Sequence, residues 1–317
     1  MGKVLVTGAA GFVGRRVVAL LAAAYGQFDG IIAADIRAVP ESERLAGVTY
    51  RVLDVRDGRA VDAALAEGIE AVVHLAAIVS PGGPKARAME YEVDVMGTGN
   101  VLKACILHRV RQLVVTSSGA AYGYHADNPV PLSESDALRG NPEFAYSDHK
   151  RLVEEMLARA RAEHPELKQL IFRPGTILGA RVANPITAMF DRPFVLGVTG
   201  SDTPFVLIWD EDVARCIVKG LMEARDGIYN LTSDDALPMA EIARMLGKPF
   251  VPLPAWLIKA ILFATQRLGL SQAGPAQVNF IRYRPVLSNA RLKREFGYDP
   301  GTRSRDVFAR WLKERVR

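Results

Sequence analysis

Tyr146 and Lys150 stand four residues apart in the run Tyr146-Ser147-Asp148-His149-Lys150, a spacing that puts a phenol and an ammonium on one face of a helix. A tyrosine ordinarily titrates near pH ~10 and is a poor base at neutral pH, whereas a neighbouring cation favours its phenolate. Lys150 is therefore expected to lower the Tyr146 pKa, giving a group that takes or returns a proton at a substrate oxygen. Upstream, a strand-like run ends in Thr116-Ser117-Ser118-Gly119, and Ser118 can donate to the same oxygen and steady a developing alkoxide. Ser118, Tyr146 and Lys150 are the candidate catalytic residues.

A second constellation lies near the N-terminus. Thr7-Gly8-Ala9-Ala10-Gly11-Phe12-Val13-Gly14 follows a β-branched run and opens a helical one, the context of a loop that cradles a pyrophosphate. Gly8 permits the tight turn, Gly11 lets the backbone beside Phe12 and Val13 reach the phosphates, and Gly14 lets the helix pack on its sheet. Asp35 ends the second strand-like run, where a carboxylate accepts from both ribose hydroxyls and repels a 2′-phosphate. NAD is thus expected rather than NADP; Ile36 belongs to the same contact, and Arg37 is the residue that would soften the preference. Asp54-Val55 offers a carboxylate to the adenine amino group and an apolar cover for its ring. Leu75-Ala76-Ala77, after His74, leaves room for the riboses against backbone. Thr116, Tyr146, Lys150, Pro174 and Thr176 complete the expected cofactor contacts.

The elements that must position these residues alternate. Strand-like runs at Val4–Thr7, Ile31–Asp35, Tyr50–Leu53, Ala71–Leu75 and Leu113–Thr116 are interleaved with helix-like runs at Phe12–Ala24, Gly58–Glu67, Lys85–Leu107 and Phe144–Ala162. This is the pattern of βαβ units with helices on both faces of a parallel sheet, so the expected class is α/β, a Rossmann-type doubly wound sheet. A further strand at Gln169–Phe172 leads into Arg173-Pro174-Gly175, after which turns such as Asn184-Pro185 and Arg192-Pro193 become frequent. Residues 1–175 are expected to form the dinucleotide domain, with strands near 205–232 returning to its sheet. Residues 176–204 and 233–317 then make a smaller, discontinuous substrate domain.

The TGxxGxxG loop, the acid after the second strand, the His74-Leu75-Ala76-Ala77 strand end, Ser117-Ser118 with Tyr122-Gly123, YxxxK and Arg173-Pro174-Gly175 occur in one order along the chain. On these motifs the chain resembles the extended short-chain dehydrogenase/reductases of the NAD-dependent epimerase/dehydratase type. The resemblance implies that Tyr146 is the general acid/base, Lys150 its pKa-lowering and ribose-binding partner, and Ser118 the donor that polarises a carbonyl. It also implies a homodimer built on the helices that follow Gly97 and carry Tyr146. One position departs from the family. The residue three before Gly97 is usually an asparagine supporting the site, and here it is Asp94.

Within that family the dehydratases carry an Asp-Glu pair just after the active-site hydroxyl; here Gly119 and Ala120 stand there, so dehydration is not the expected activity. Nucleotide-sugar enzymes place an arginine where this chain has Phe205, which cannot neutralise a phosphate, although Arg284-Pro285 resembles their downstream phosphate-binding arginine. Val79, Ser118, Thr176, Phe205 and Arg284 are the candidate substrate contacts. Phe190, Phe194, Phe205, Trp209, Trp256, Phe263 and Phe280 are numerous enough to line an apolar pocket. An oxidoreductase interconverting hydroxyl and ketone on a small, partly apolar substrate is the expected activity. The alternatives are a UDP-hexose 4-epimerase and, from another class, a non-catalytic NAD(H)-binding regulator; such regulators typically lose the tyrosine or the lysine, and both are present.

Composition excludes other classes. The net charge of +5 is a small excess in 317 residues, with no basic run interleaved with aromatics, so nucleic acid is not an expected partner. Cys105 and Cys216 form no CxxC and have no adjacent histidine, so no metal site is expected and both read as buried thiols of a reducing, cytoplasmic compartment. The strand-like run from Val4 leaves no room for a signal peptide ahead of it. Trp256–Leu270, interrupted by Lys259 and Arg267, is too short to span a bilayer and is expected to be a packed or surface-lying amphipathic helix, with no membrane partner.

Overall fold

In the computed structural model, residues 2–24, 26–79, 86–182, 185–269 and 274–315 are described; Lys85, Asn184 and Leu270 of the runs above lie outside them. Short β-branched runs form strands where the expected periodicity places them: β1 (Lys3–Thr7), β2 (Gly30–Asp35), β3 (Val48–Val52), β4 (Ile69–His74), β5 (Gln112–Thr116) and β6 (Lys168–Pro174). Between them run α1 (Phe12–Ala23), α2 (Gly58–Leu65), α3 (Ala86–Tyr91), α4 (Gly97–Leu107) and α5 (Ala145–Glu163). The long helix expected up to Leu107 is continuous but not uniform, because a π-helical turn at Glu92–Met96 joins α3 to α4 and carries Asp94. Such turns recur at functional sites, since the extra residue re-aims the side chains around it.

The second half comprises β7 (Thr176–Leu178), α6 (Pro185–Phe190), β8 (Val195–Val198), β9 (Leu207–Trp209), α7 (Asp210–Met222) and β10 (Gly227–Leu231). After them come α8 (Met239–Leu246), β11 (Phe250–Leu253), α9 (Ala255–Arg267), α10 (Val278–Arg282) and α11 (Ser304–Glu314). Seven strands form one parallel sheet in the order β10-β6-β5-β4-β1-β2-β3. Helices α1 and α7 cover one face; α2, α4 and α5 cover the other. The order reverses between β1 and β4, and in doubly wound sheets the crevice at the carboxyl ends of those strands is where a ligand binds.

One expected strand goes elsewhere. Gly227–Leu231 returns to the main sheet beside β6, but Leu207–Trp209 does not; it pairs in parallel with β7 in a separate two-stranded sheet. The cause is that β10 occupies the free edge of β6 as far as Pro174, so β9 can pair only with the chain beyond Gly175. A separate core forms around this small sheet from Phe190, Phe205, Trp209, Met239, Phe308 and Trp311.

Candidate active site

The loop after β1 is shaped by its glycines. Gly8 has φ +70°, and a Cβ there would lie 2.6 Å from the Ala76 amide nitrogen; a Cβ at Gly14 would lie 2.2 Å from the Gly8 carbonyl oxygen. At Gly11 an added Cβ would meet only that carbonyl, at 3.1 Å, so its outward side stays open. The first-turn amides of α1 have no intrahelical acceptor, and Gly8, Gly11, Phe12, Val13 and Gly14 line a cavity of about 490 Å³. This cradle fits the pyrophosphate of a dinucleotide.

Leu75, Ala77 and Val79 after β4, Thr116 at the end of β5 and Ser118 after it, Tyr146 and Lys150 on α5, and Pro174, Thr176, Phe205 and Arg284 border the same cavity. The structure thus brings together most of the candidates. Asp35, Ile36, Asp54, Val55 and Ala76 stand outside its wall. Asp35 is buried at the end of β2, where it accepts from the Ala10 amide at 2.9 Å and from the Arg37 amide at 3.0 Å. A carboxylate has about four acceptor positions, so capacity for ribose hydroxyls remains. Asp54 accepts from Arg56 Nη2 at 2.6 Å and Nε at 2.9 Å, and that guanidinium holds the carboxyl below its usual range. Val55 is buried against Gly97.

Around the phenol burial is the dominant influence. Burial pushes Tyr146 up to about 12; the hydrogen-bonding Ser118 hydroxyl acts the other way, and the Asp94 carboxylate adds to the rise. Lys150 lies close by. Its Nζ donates to the Thr116 carbonyl at 3.1 Å and stands 5.7 Å from the Tyr146 ring centroid, with burial depressing the ammonium against the pull of Asp94 and Glu154. The phenol is therefore a proton carrier at neutral pH. Ser118 Oγ accepts from the Ala120 amide at 3.1 Å, and its own proton is directed at the Tyr146 hydroxyl on the cavity wall.

A buried network that the sequence reading missed anchors the helix carrying Tyr146 and Lys150. Glu154, one turn past Lys150, receives the Arg173 guanidinium through Nη2 at 2.6 Å and Nε at 2.9 Å, and the Ser117 hydroxyl at 2.5 Å. Arg173 also donates to the Tyr122 hydroxyl at 2.8 Å. The available signal was Glu154 sharing a helical face with Lys150. Behind β4, His74 bridges the hydroxyls of Thr7 at 2.7 Å and Thr98 at 3.0 Å, and burial pushes it down to about 4.

The far wall is aromatic. Phe280 packs 3.9 Å from Phe144 and 4.8 Å from Tyr124, centroid to centroid, and Phe144 lies 6.2 Å from Tyr146. Tyr124 and Phe144 were not foreseen. Of the seven aromatics expected at a pocket only Phe205 and Phe280 line it. Phe190 and Trp209 are core, and Phe194, Trp256 and Phe263 face outward. Phe190 is drawn inward by a ring cluster with Phe205, Phe308 and Trp311. Arg284 is the sole arginine of the wall among the described residues; its guanidinium lies 3.8 Å over the Phe205 ring and its buried Nε has no partner. Among the described residues no cluster of histidine, cysteine or acidic side chains could hold a metal ion, and no helix is long and apolar enough to cross a membrane. Cys105 and Cys216 are fully buried.

Residues 4–231 match the NAD dependent epimerase/dehydratase family. An N-acetyl-alpha-D-glucosaminyl-diphospho-ditrans,octacis-undecaprenol 4-epimerase of Escherichia coli O157:H7 is 36% identical over 186 residues, which is 56% of this chain and 50% of that protein. A UDP-glucose 4-epimerase of Thermus thermophilus, solved with NAD, superposes with a TM-score of 0.73 over 99% of this chain and 100% of its own at 23% identity. A short-chain dehydrogenase/reductase superfamily protein from Agrobacterium tumefaciens, solved with bound NAD, gives 0.73 over 98% and 96% at 22% identity.

Proposed function

The chain belongs to the NAD dependent epimerase/dehydratase family, and on that premise we propose that it is an NAD-dependent oxidoreductase interconverting a ketone and a hydroxyl on a small, partly apolar substrate. One observation carries this reading: a single cavity at the switch point joins the glycine cradle, the Ser118–Tyr146–Lys150 group and an aromatic wall holding one arginine. Bound NAD would supply the hydride donor or acceptor. The Ser118 hydroxyl orients the substrate carbonyl and stabilises charge developing on its oxygen. Tyr146, protonated at neutral pH, gives its proton to that oxygen as the alcohol forms and retakes it in the reverse direction. Lys150, tied to the Thr116 carbonyl, is placed to bind the nicotinamide ribose. Asp35 favours NAD over NADP by charge.

The same reading assigns residues 1–175 to cofactor binding and 176–204 with 233–317 to substrate, supported by the separate core around Phe190 and Trp311. Exposed Met96 and Leu107, flanking and ending α4, support a homodimer through α4 and α5.

Calorimetric NADH binding followed by a panel of keto and hydroxy substrates, each compared with Tyr146→Phe, tests the proposal. Turnover lowered ~10²–10⁴-fold in the variant with NADH binding retained is expected. NADH binding without any Tyr146-dependent turnover would leave the regulator as the better reading. A UDP-hexose 4-epimerase is the second reading, favoured by Arg284 in the wall; interconversion of UDP-glucose and UDP-galactose without NADH release would establish it.

A further inference from the structure

Helix α9 turns the wrong face outward for a protein surrounded by water. Its inner side rests on a small satellite core, with Ile258 buried against Val198 and Val278 and with Leu262 packed beside them. Its outer side exposes Trp256 by 70%, Ile261 by 46% and Phe263 by 52%, and Leu268 just beyond the helix by 71%. At 100° per residue these four and the exposed Ala260 and Ala264 form one continuous arc. Lys259 and Gln266 flank the arc, and within it Arg267 lies 5.3 Å over the Phe263 ring. A surface helix ordinarily presents its polar residues on this side.

The charge around α9 is equally lopsided. Between Glu241 and Glu295 the chain carries nine lysines and arginines and no carboxylate, although the whole protein has 40 basic against 35 acidic residues. Arg244, Arg291 and Lys293 are paired with acidic side chains and Arg284 lies in the cavity wall, so the cations that belong to this surface are Lys259 and Arg267 on α9 itself and Arg282 on the adjoining α10. An apolar helix face with tryptophan and phenylalanine, with lysine and arginine but no carboxylate on the same helix, has the composition of one that lies in a bilayer interface. Anionic headgroups attract each nearby lysine or arginine by about 1 kcal/mol. A second copy of the chain fits less well, because a two-fold interface sets a patch against itself and would bring basic rim onto basic rim.

We propose that α9 docks the protein on the surface of an anionic lipid bilayer, with Trp256, Ile261, Phe263 and Leu268 entering the headgroup boundary and Lys259 and Arg267 pairing with lipid phosphates. The surface does not depend on the proposed activity. It does adjoin the cavity: α9 packs on α10, which carries Phe280 into the aromatic wall, so docking sets that wall beside the lipid.

The full chain is mixed with vesicles of phosphatidylcholine alone and of phosphatidylcholine with 30% phosphatidylglycerol, and sedimentation and tryptophan emission are read. Of the three tryptophans, Trp209 and Trp311 are 2% and 3% exposed, so a blue shift and quenching by lipids brominated on the acyl chain report Trp256 alone. Expected are salt-sensitive sedimentation with the anionic vesicles, a blue-shifted and quenched emission, and at least a tenfold loss of binding for Ile261→Ser with Phe263→Ser and for Lys259→Glu with Arg267→Glu. These side chains are exposed, and an unchanged thermal midpoint shows that the variants fold. No sedimentation with anionic vesicles, sedimentation without quenching, or binding undiminished in the serine variant would overturn the proposal. So would a lipid-free dimer that the serine variant converts to monomer.

Discussion

The second carboxylate oxygen of Asp94 lies 3.8 Å from Nδ1 of His149, both side chains are buried, and neither atom has a hydrogen-bond partner. The other Asp94 oxygen accepts from the Ile78 amide at 2.8 Å. His149 immediately precedes Lys150, so the π-helical turn carrying Asp94 brings a negative charge against the start of α5, where it raises both Lys150 and Tyr146. The proposed reading makes Asp94 a positioning residue. Asp94→Asn keeps an acceptor for Ile78 and removes the charge, so Tyr146 and Lys150 should both titrate at lower pH. The check is the pH dependence of NADH binding and of turnover, with the limbs shifted to lower pH; an unchanged profile would reduce Asp94 to a scaffold role.

On the proposed reading Asp35 discriminates by charge, so Asp35→Asn should lose about tenfold in NADH affinity, the ~1.5 kcal/mol of a charged hydrogen bond, while NADPH affinity rises. The exposed Arg37 guanidinium, 3.4 Å from Asp35, becomes available to a 2′-phosphate in the variant. Parallel titrations with both reduced cofactors measure this, and a fall in both affinities would show that Asp35 only braces the loop through Ala10.

Breaking the Glu154–Arg173 pair strands a buried guanidinium. Glu154→Leu should cost about 3–5 kcal/mol in urea unfolding, whereas Glu154→Leu with Arg173→Met should recover much of that loss, because both charges then leave together. A double variant no more stable than the single one would mean that the network is held by Ser117 and Tyr122 instead.

His74 sets a pH window. Its folded pKa of about 4 lies below the unfolded 6.5, so between these values the unfolded chain binds more protons. Stability from the neutral imidazole is complete above pH 6.5 and is lost as pH falls towards 4, on the order of 3 kcal/mol in all. His74→Asn should show a flatter dependence of thermal midpoint on pH over that interval than the parent. Identical slopes would assign the acid lability to other groups.

The parallel sheet and the cradle were legible because both are local: short continuous β-branched runs, buried on both faces, mark the strands, and three glycines at fixed spacing make the turn. Ser118, Tyr146 and Lys150 could be grouped because a strand end and a helix start were recognisable. The aromatic wall was not legible, since Tyr124, Phe144 and Phe280 come from loops and a short helix whose mutual placement no spacing encodes. Nor could the sequence show how deeply Tyr146 would be buried, or that Arg56 would pair with Asp54, because both depend on how the chain packs in three dimensions.

Between Pro174 and Thr176 a single residue, Gly175, carries the backbone out of the seven-stranded sheet into the small one, and a Cβ there would lie 2.6 Å from the Val206 carbonyl oxygen. The two halves of the cavity thus share one rail, welded on either side by β10 and β9. A side chain at 175 would press on Val206 just ahead of β9, so the same glycine that frees the chain from one sheet is what lets it lie against the other.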